Sequence, residues 1–141
     1  MGLRERGFFS IDALFAVTLL LIISSSFLHV YEGRRGTAEL MSARLEAKVA
    51  GEKLAAAINT VYANGSNFEV DVELPQKIGG HFYKIEFDNN ARQVVVENSA
   101  WGSVGAGVVC KNVSDFVLER ENLGNTIRVC WVGNTVTVVN A

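Results

Sequence analysis

Read for its apolar positions alone, the chain changes character twice. From Phe8 to Val30 apolar residues predominate; from Thr37 to Ala63 they recur at three- and four-residue steps; from Phe68 onward they alternate in short runs. A helix rising ~1.5 Å per residue over Phe8 to Val30 would be roughly 34 Å long, enough to cross a hydrocarbon core about 30 Å thick. This first segment is therefore expected to be a membrane helix.

The second segment contains no proline and is rich in alanine, leucine, glutamate and lysine, all good helix formers. Leu40, Ala43, Ala47, Ala50, Leu54, Ala57, Ile58 and Val61 make one narrow apolar stripe whose small members let another element approach closely. Met41, Leu45 and Val49 form a shorter row beside it. Two readings of that row stand side by side: part of a wide core-facing stripe, or a face turned to a neighbouring subunit. Between the two helical stretches, Gly33 and Gly36 mark the place where a helix would bend or locally melt, because each costs about 1 kcal/mol relative to alanine. Asn64-Gly65 is a C-terminal stop signal.

Beyond it the period becomes 2. Phe68, Val70, Val72 and Leu74 alternate with Glu69, Asp71 and Glu73, predicting a half-buried strand with an acidic outer face, closed by Pro75. His81–Phe87 and Arg92–Asn98 read as the next two strands, joined by Asp88-Asn89-Asn90-Ala91, where asparagine tolerates positive φ. Val108–Cys110 and Val113–Arg120 look like short strands, and Thr126–Val132 and Thr135–Val139 like a hairpin turning at Gly133-Asn134. Ala100 to Gly107 is glycine-rich and is expected to be a surface loop. It does not lead from a strand into a helix, so it is not a phosphate-binding loop. The expected class is α+β: a long N-terminal helix, membrane-spanning below and amphipathic above, packed on an antiparallel sheet of five to seven short strands. The expected divisions are 1–7, 8–30, 31–64 and a β-rich head over 65–141.

Charge and composition narrow the function. At 141 residues, with about 30 committed to the membrane, one small exported domain remains. The formal charge of −2 would become −3 on loss of residues 1–7, which carry two arginines and one glutamate. No basic stripe suggests nucleic acid. Arg4 and Arg6 precede the apolar run and Arg34 and Arg35 follow it, so flanking arginines do not decide its orientation.

One residue conflicts with a lipid setting. Asp12 lies inside the apolar run, where a carboxylate costs about 2.5 to 3.5 kcal/mol on insertion scales. Cleavage between Gly7 and Phe8 would create an ammonium on Phe8, four residues before Asp12 and on the same helical face. Opposite charges about 4 Å apart contribute roughly 4 kcal/mol at an effective dielectric of 20, comparable to that cost. Two other readings of the segment stand beside this one: a secretory signal cut near Ser24-Ser25-Ser26, and an uncleaved anchor with Asp12 at the interface.

The basic leader MGLRERG ending in Gly7, the aromatic Phe8, the acid at Asp12 and the apolar helix that follows resemble a type IV prepilin with an archaeal class III signal peptide. The resemblance covers about twenty-five residues. Family members more often carry Glu where Asp12 stands, and bacterial pilins usually carry Leu at the position of Ser10. The resemblance implies cleavage after Gly7 by a prepilin peptidase, a membrane precursor, and an adhesive surface filament of identical or related subunits, in which Asp12 meets the Phe8 amino terminus of a neighbour. It also implies a non-enzymatic, structural role. The alternatives are a membrane-anchored extracellular binding module that never polymerises, and a minor pilin or pseudopilin.

The remaining chemistry is sparse. Cys110 and Cys130 are an even pair whose spacing suits a bridge outside the cell, worth roughly 3 kcal/mol on the chain-entropy model; two free buried thiols are the other reading. The pair resembles the C-terminal disulfide loop of type IV pilins in placement. Asn64-Gly65-Ser66 and Asn112-Val113-Ser114 are N-glycosylation sequons in an exported chain. The two histidines, His29 and His81, leave no zinc-ligand spacing, and no catalytic constellation or cofactor motif emerges.

Overall fold

The computed structural model describes residues 2–119, 121 and 125–141, with side chains from residue 10 onward. Helix α1 runs from Gly2 to Asn64 and is followed by seven strands: β1 (Glu69–Glu73), β2 (Lys84–Asp88), β3 (Gln93–Asn98), β4 (Gly102–Gly107), β5 (Val117–Glu119), β6 (Thr126–Val132) and β7 (Thr135–Asn140). The chain divides into two units, Met1–Ala38 and Glu39–Ala141. In the first unit, Gly33 and Gly36 are helical, without the local melting expected there. The Thr37 hydroxyl donates to the Gly33 carbonyl at 3.1 Å, a bond confined to the helix itself.

The second unit is α+β, with the upper part of α1 packed on two small antiparallel sheets. The strand orders are β1-β6-β7 and β4-β3-β2-β5. Alternation gives the same signal whichever sheet a strand joins, so the strands were readable and their division into two sheets was not. The helical stripe is the core face: Ala43, Ala47, Ala50, Leu54, Ala57, Ile58 and Val61 are all buried, and Leu40 packs against them. From the first sheet they meet Ile127, Val129 and Val136, and from the second Ile85, Val94 and Val96. Gly51 lets the helix lie close, since a Cβ there would stand 3.3 Å from Val96 Cγ2 and 3.4 Å from Ala106 Cβ. The helix ends as the sequence predicts, with Gly65 at φ +80° donating its N–H to the Val61 carbonyl at 3.1 Å.

Three expectations for the head are corrected. Ala100–Gly107 is not a surface loop throughout, because Gly102–Gly107 forms β4, paired along its length with β3. Glycine weakens a strand, but this one lies at a sheet edge and α1 reaches across to it. Arg44 Nε donates to the Trp101 carbonyl at 2.9 Å and Lys48 Nζ to the Gly105 carbonyl at 2.8 Å. Val108–Cys110 is not a strand: the Val108 amide bonds the Arg92 carbonyl, and the Val109 amide bonds Asn59 Oδ1 on the helix at 2.9 Å. In the β2–β3 turn the left-handed residue is Arg92, φ +52°, not an asparagine. Asp88 Oδ1 closes that turn by accepting from the Asn90 and Ala91 amides.

The other strands match more closely. Tyr83, Ile85 and Phe87 share a buried face, and Glu69, Asp71 and Glu73 are exposed as the alternation required. Of the strand expected over Val113–Arg120, Val117–Glu119 is extended, Val113 makes a single parallel bridge to Val136, and Arg120 lies outside the described residues. The β6–β7 hairpin turns at Gly133-Asn134 with Gly133 at φ +64°.

Candidate functional site

Within the first unit, the large apolar side chains from Ile11 to Tyr31 are solvent-exposed around the helix, from Ile11, Leu14 and Phe15 to Phe27, Leu28 and Val30. This helix is long and apolar enough to cross a membrane, a property that an N-terminal signal sequence shares. Two of its hydroxyls bond within the helix. Thr18 donates to the Leu14 carbonyl at 2.7 Å and Ser26 to the Ile22 carbonyl at 2.9 Å, the arrangement by which such residues tolerate lipid. Asp12 is exposed on this helix. The side chains of residues 2–9 lie outside the described residues, and with them the Gly7–Phe8 cleavage point and the distance between Phe8 and Asp12.

Within the second unit, the row beside the core stripe turns away from the core. Met41, Leu45 and Val49 are 61%, 67% and 52% exposed, which rules out the reading that placed them in a wide core-facing stripe. Leu45 and Val49 line a groove of about 720 Å³ with Leu74 and Pro75, flanked by Glu46 and Lys53. The periodicity of α1 registers the row but not which rows the sheets cover.

The cysteines do not form the expected bridge: both are free thiols. Cys110 is 1% exposed, whereas Cys130 alternates with the buried Ile127 and Val129 and so shares the outer face of its sheet with Arg128. On that face it stands opposite Glu69 and Thr137. One sulfur lies in the core and the other on the outer surface, a difference that chain spacing does not reveal.

The outer faces of both sheets carry ion pairs. Arg128 donates to both carboxylate oxygens of Asp71, at 2.8 and 3.0 Å, and its hydrogen bonds hold the Asp71 carboxyl below the ordinary carboxylate range. Lys84 sits 2.7 Å from Glu86 and 3.1 Å from Glu97, and those bonds raise its ammonium above the usual lysine value. Register brings Arg128 opposite Asp71 and Lys84 opposite Glu97, whereas Glu86 lies two residues along the same strand as Lys84 and so shares its face. A cleft of about 620 Å³ on the second sheet is lined by Phe82, Lys84, Glu97, Asn98, Glu119 and Glu121. Among the described residues no three His, Cys, Asp or Glu side chains come together as a metal site.

The two sequons have different surroundings. Asn64 ends α1 and is exposed, with its Nδ2 donating to the Thr60 carbonyl at 2.7 Å. Asn112 and Ser114 flank Val113 in the bridge to β7: the Val136 amide bonds the Asn112 carbonyl at 2.8 Å and the Ser114 amide bonds the Val136 carbonyl at 3.0 Å. The residues that sequence reasoning missed are Arg44, Lys48 and Asn59. They read as ordinary exposed helix positions, although their flanking of the buried stripe was a usable signal. Comparison of the chain with known protein families, with curated proteins and with solved structures returns no match.

Proposed function

We propose that this chain is a structural subunit of a type IV pilus-like surface filament, made as a membrane precursor and assembled through α1 after a prepilin peptidase removes residues 1–7. One observation carries the reading. The apolar, exposed helix surface from Ile11 to Tyr31 is followed, on the folded head, by the exposed row of Met41, Leu45 and Val49, which neither sheet covers. A plain membrane anchor needs only the first.

In this mechanism subunits exchange lipid contacts for contacts with the helices of identical neighbours. Lipid is as apolar as the helix, so side-chain packing supplies the preference. Asp12 then acts as a register pin, because an acid left unpaired in an apolar bundle is costly and the Phe8 ammonium of an adjacent subunit relieves that cost. The head stays outside, where the filament adheres.

The test is the amino-terminal sequence of surface material, expected to begin at Phe8. An intact Met1, or a start after Ser26, would count for a tethered binding module or a secreted protein instead. Replacing Asp12 by Ala is expected to abolish filament recovery from sheared cells with membrane insertion unchanged, and a normal yield would reject the pairing.

A further inference from the structure

We propose that the folded head is N-glycosylated at Asn64 and not at Asn112, a proposal that rests on the head being exported. The two triplets are equivalent as motifs, and the fold makes them unequal. A transferase must hold the acceptor amide and the hydroxyl two residues later in its own site, so the triplet has to leave the protein surface without the core following it.

At Asn64 it can. Asn64, Ser66 and Asn67 are all exposed, no side chain from the triplet enters the core, and the chain has already left the helix at Gly65 with φ +80°. Asn64 has to fray and the capping bond from the Gly65 N–H to the Val61 carbonyl has to open, which helix ends do readily and which draws no side chain out of the core. The hydrogen bond from Asn64 Nδ2 to the Thr60 carbonyl uses one of two amide hydrogens. The substituted nitrogen retains one hydrogen. Tyr62, 40% exposed and stacked on Trp131 at 6.0 Å, and Phe68, 38% exposed, flank the triplet with aromatic surface on which a sugar ring can rest.

At Asn112 the same extraction breaks the two backbone bonds to Val136 and withdraws the buried Val113 side chain from the core. The Ser114 hydroxyl is turned to the sheet, 3.5 Å from Thr137 Oγ1. The donor is a lipid phosphate- or pyrophosphate-linked oligosaccharide. In the transfer the Asn64 Nδ2 to anomeric carbon bond forms and the anomeric carbon to phosphate oxygen bond breaks. The lipid phosphate leaves with the electron pair, and the amide proton passes to a base of the transferase.

The experiment is intact-mass and peptide mapping of the protein from its native cells, alongside Ser66→Ala and Ser114→Ala. Ser66→Ala removes the hydroxyl that the transferase recognises while leaving the acceptor Asn64 and its bond to Thr60 in place. A glycan mass on the peptide holding Asn64, at occupancy at least tenfold above Asn112, lost in Ser66→Ala and kept in Ser114→Ala, is expected. Exported protein bare at Asn64, or modified chiefly at Asn112, overturns the proposal and leaves the filament reading standing. Bare protein confined to the cytoplasm overturns both.

Discussion

At the scale of single residues, charge on this head is organised by who stands opposite whom. Arg128 reaches Asp71 because β1 and β6 pair with those residues in register, and it also lies 4.0 Å from Glu69. Asp71 has its pKa depressed by this pairing, so its stabilisation is fully present above the unfolded value of about 3.9 and is lost as pH falls through the lower folded value. For Lys84 the sign is opposite. Its contribution is present below about 10.4 and lost as pH rises through the raised folded value. Between those limits neither group makes stability depend on pH. Both pairs lie on solvent-accessible sheet faces and are screened, so the effect is small. Asp71→Asn is expected to shrink the fall in melting temperature of the full chain between pH 7 and pH 3, measured by circular dichroism at low salt; an unchanged fall would show that the pair contributes nothing.

At the scale of elements, the upper half of α1 does two jobs with adjacent rows. Its small residues, Ala43, Ala47, Ala50 and Gly51, bring the helix axis down onto the sheets, while Arg44 and Lys48 at the margin hold the edge of β4. This explains how a segment as poor in strand formers as Gly102–Gly107 remains extended. Lys48→Ala removes the donor to the Gly105 carbonyl, a loss of about 1 kcal/mol for a hydrogen bond of this kind. The expected outcome is faster amide hydrogen exchange in β3 and β4 with β6 and β7 unchanged. Equal acceleration in both sheets would mean that Lys48 acts on global stability and not on that edge.

At the scale of the whole molecule, apolar surface is left uncovered in both units, and the filament proposal gives it a use. Met41, Leu45 and Val49 are exposed in the head, so exchanging each for Ser changes folding stability by no more than about 0.5 kcal/mol per site. The triple variant is expected to unfold with a free energy within about 1.5 kcal/mol of wild type, the limit for three such sites, and to lower filament recovery at least tenfold. A wild-type yield would remove this row from assembly. The same variant distinguishes a polymer from a tethered head, because a tether has no need of the row.

Patterns that repeat along a helix or strand are local and were legible: the apolar run, the buried stripe from Ala43 to Val61, the acidic outer face of β1, the stop at Asn64-Gly65 and the turn at Gly133-Asn134. Each depends on residues within a few positions of one another, where backbone geometry alone dictates which side chains share a face. The partition of strands into two sheets, the conversion of Gly102–Gly107 into an edge strand and the placing of Cys110 and Cys130 on different sides of a sheet all depend on partners far along the chain. So do the exposure of the Met41 row and the unequal footing of the two sequons. Only the packed fold decides these, because burial and pairing belong to surfaces brought together in space, and no periodicity records which surfaces will meet.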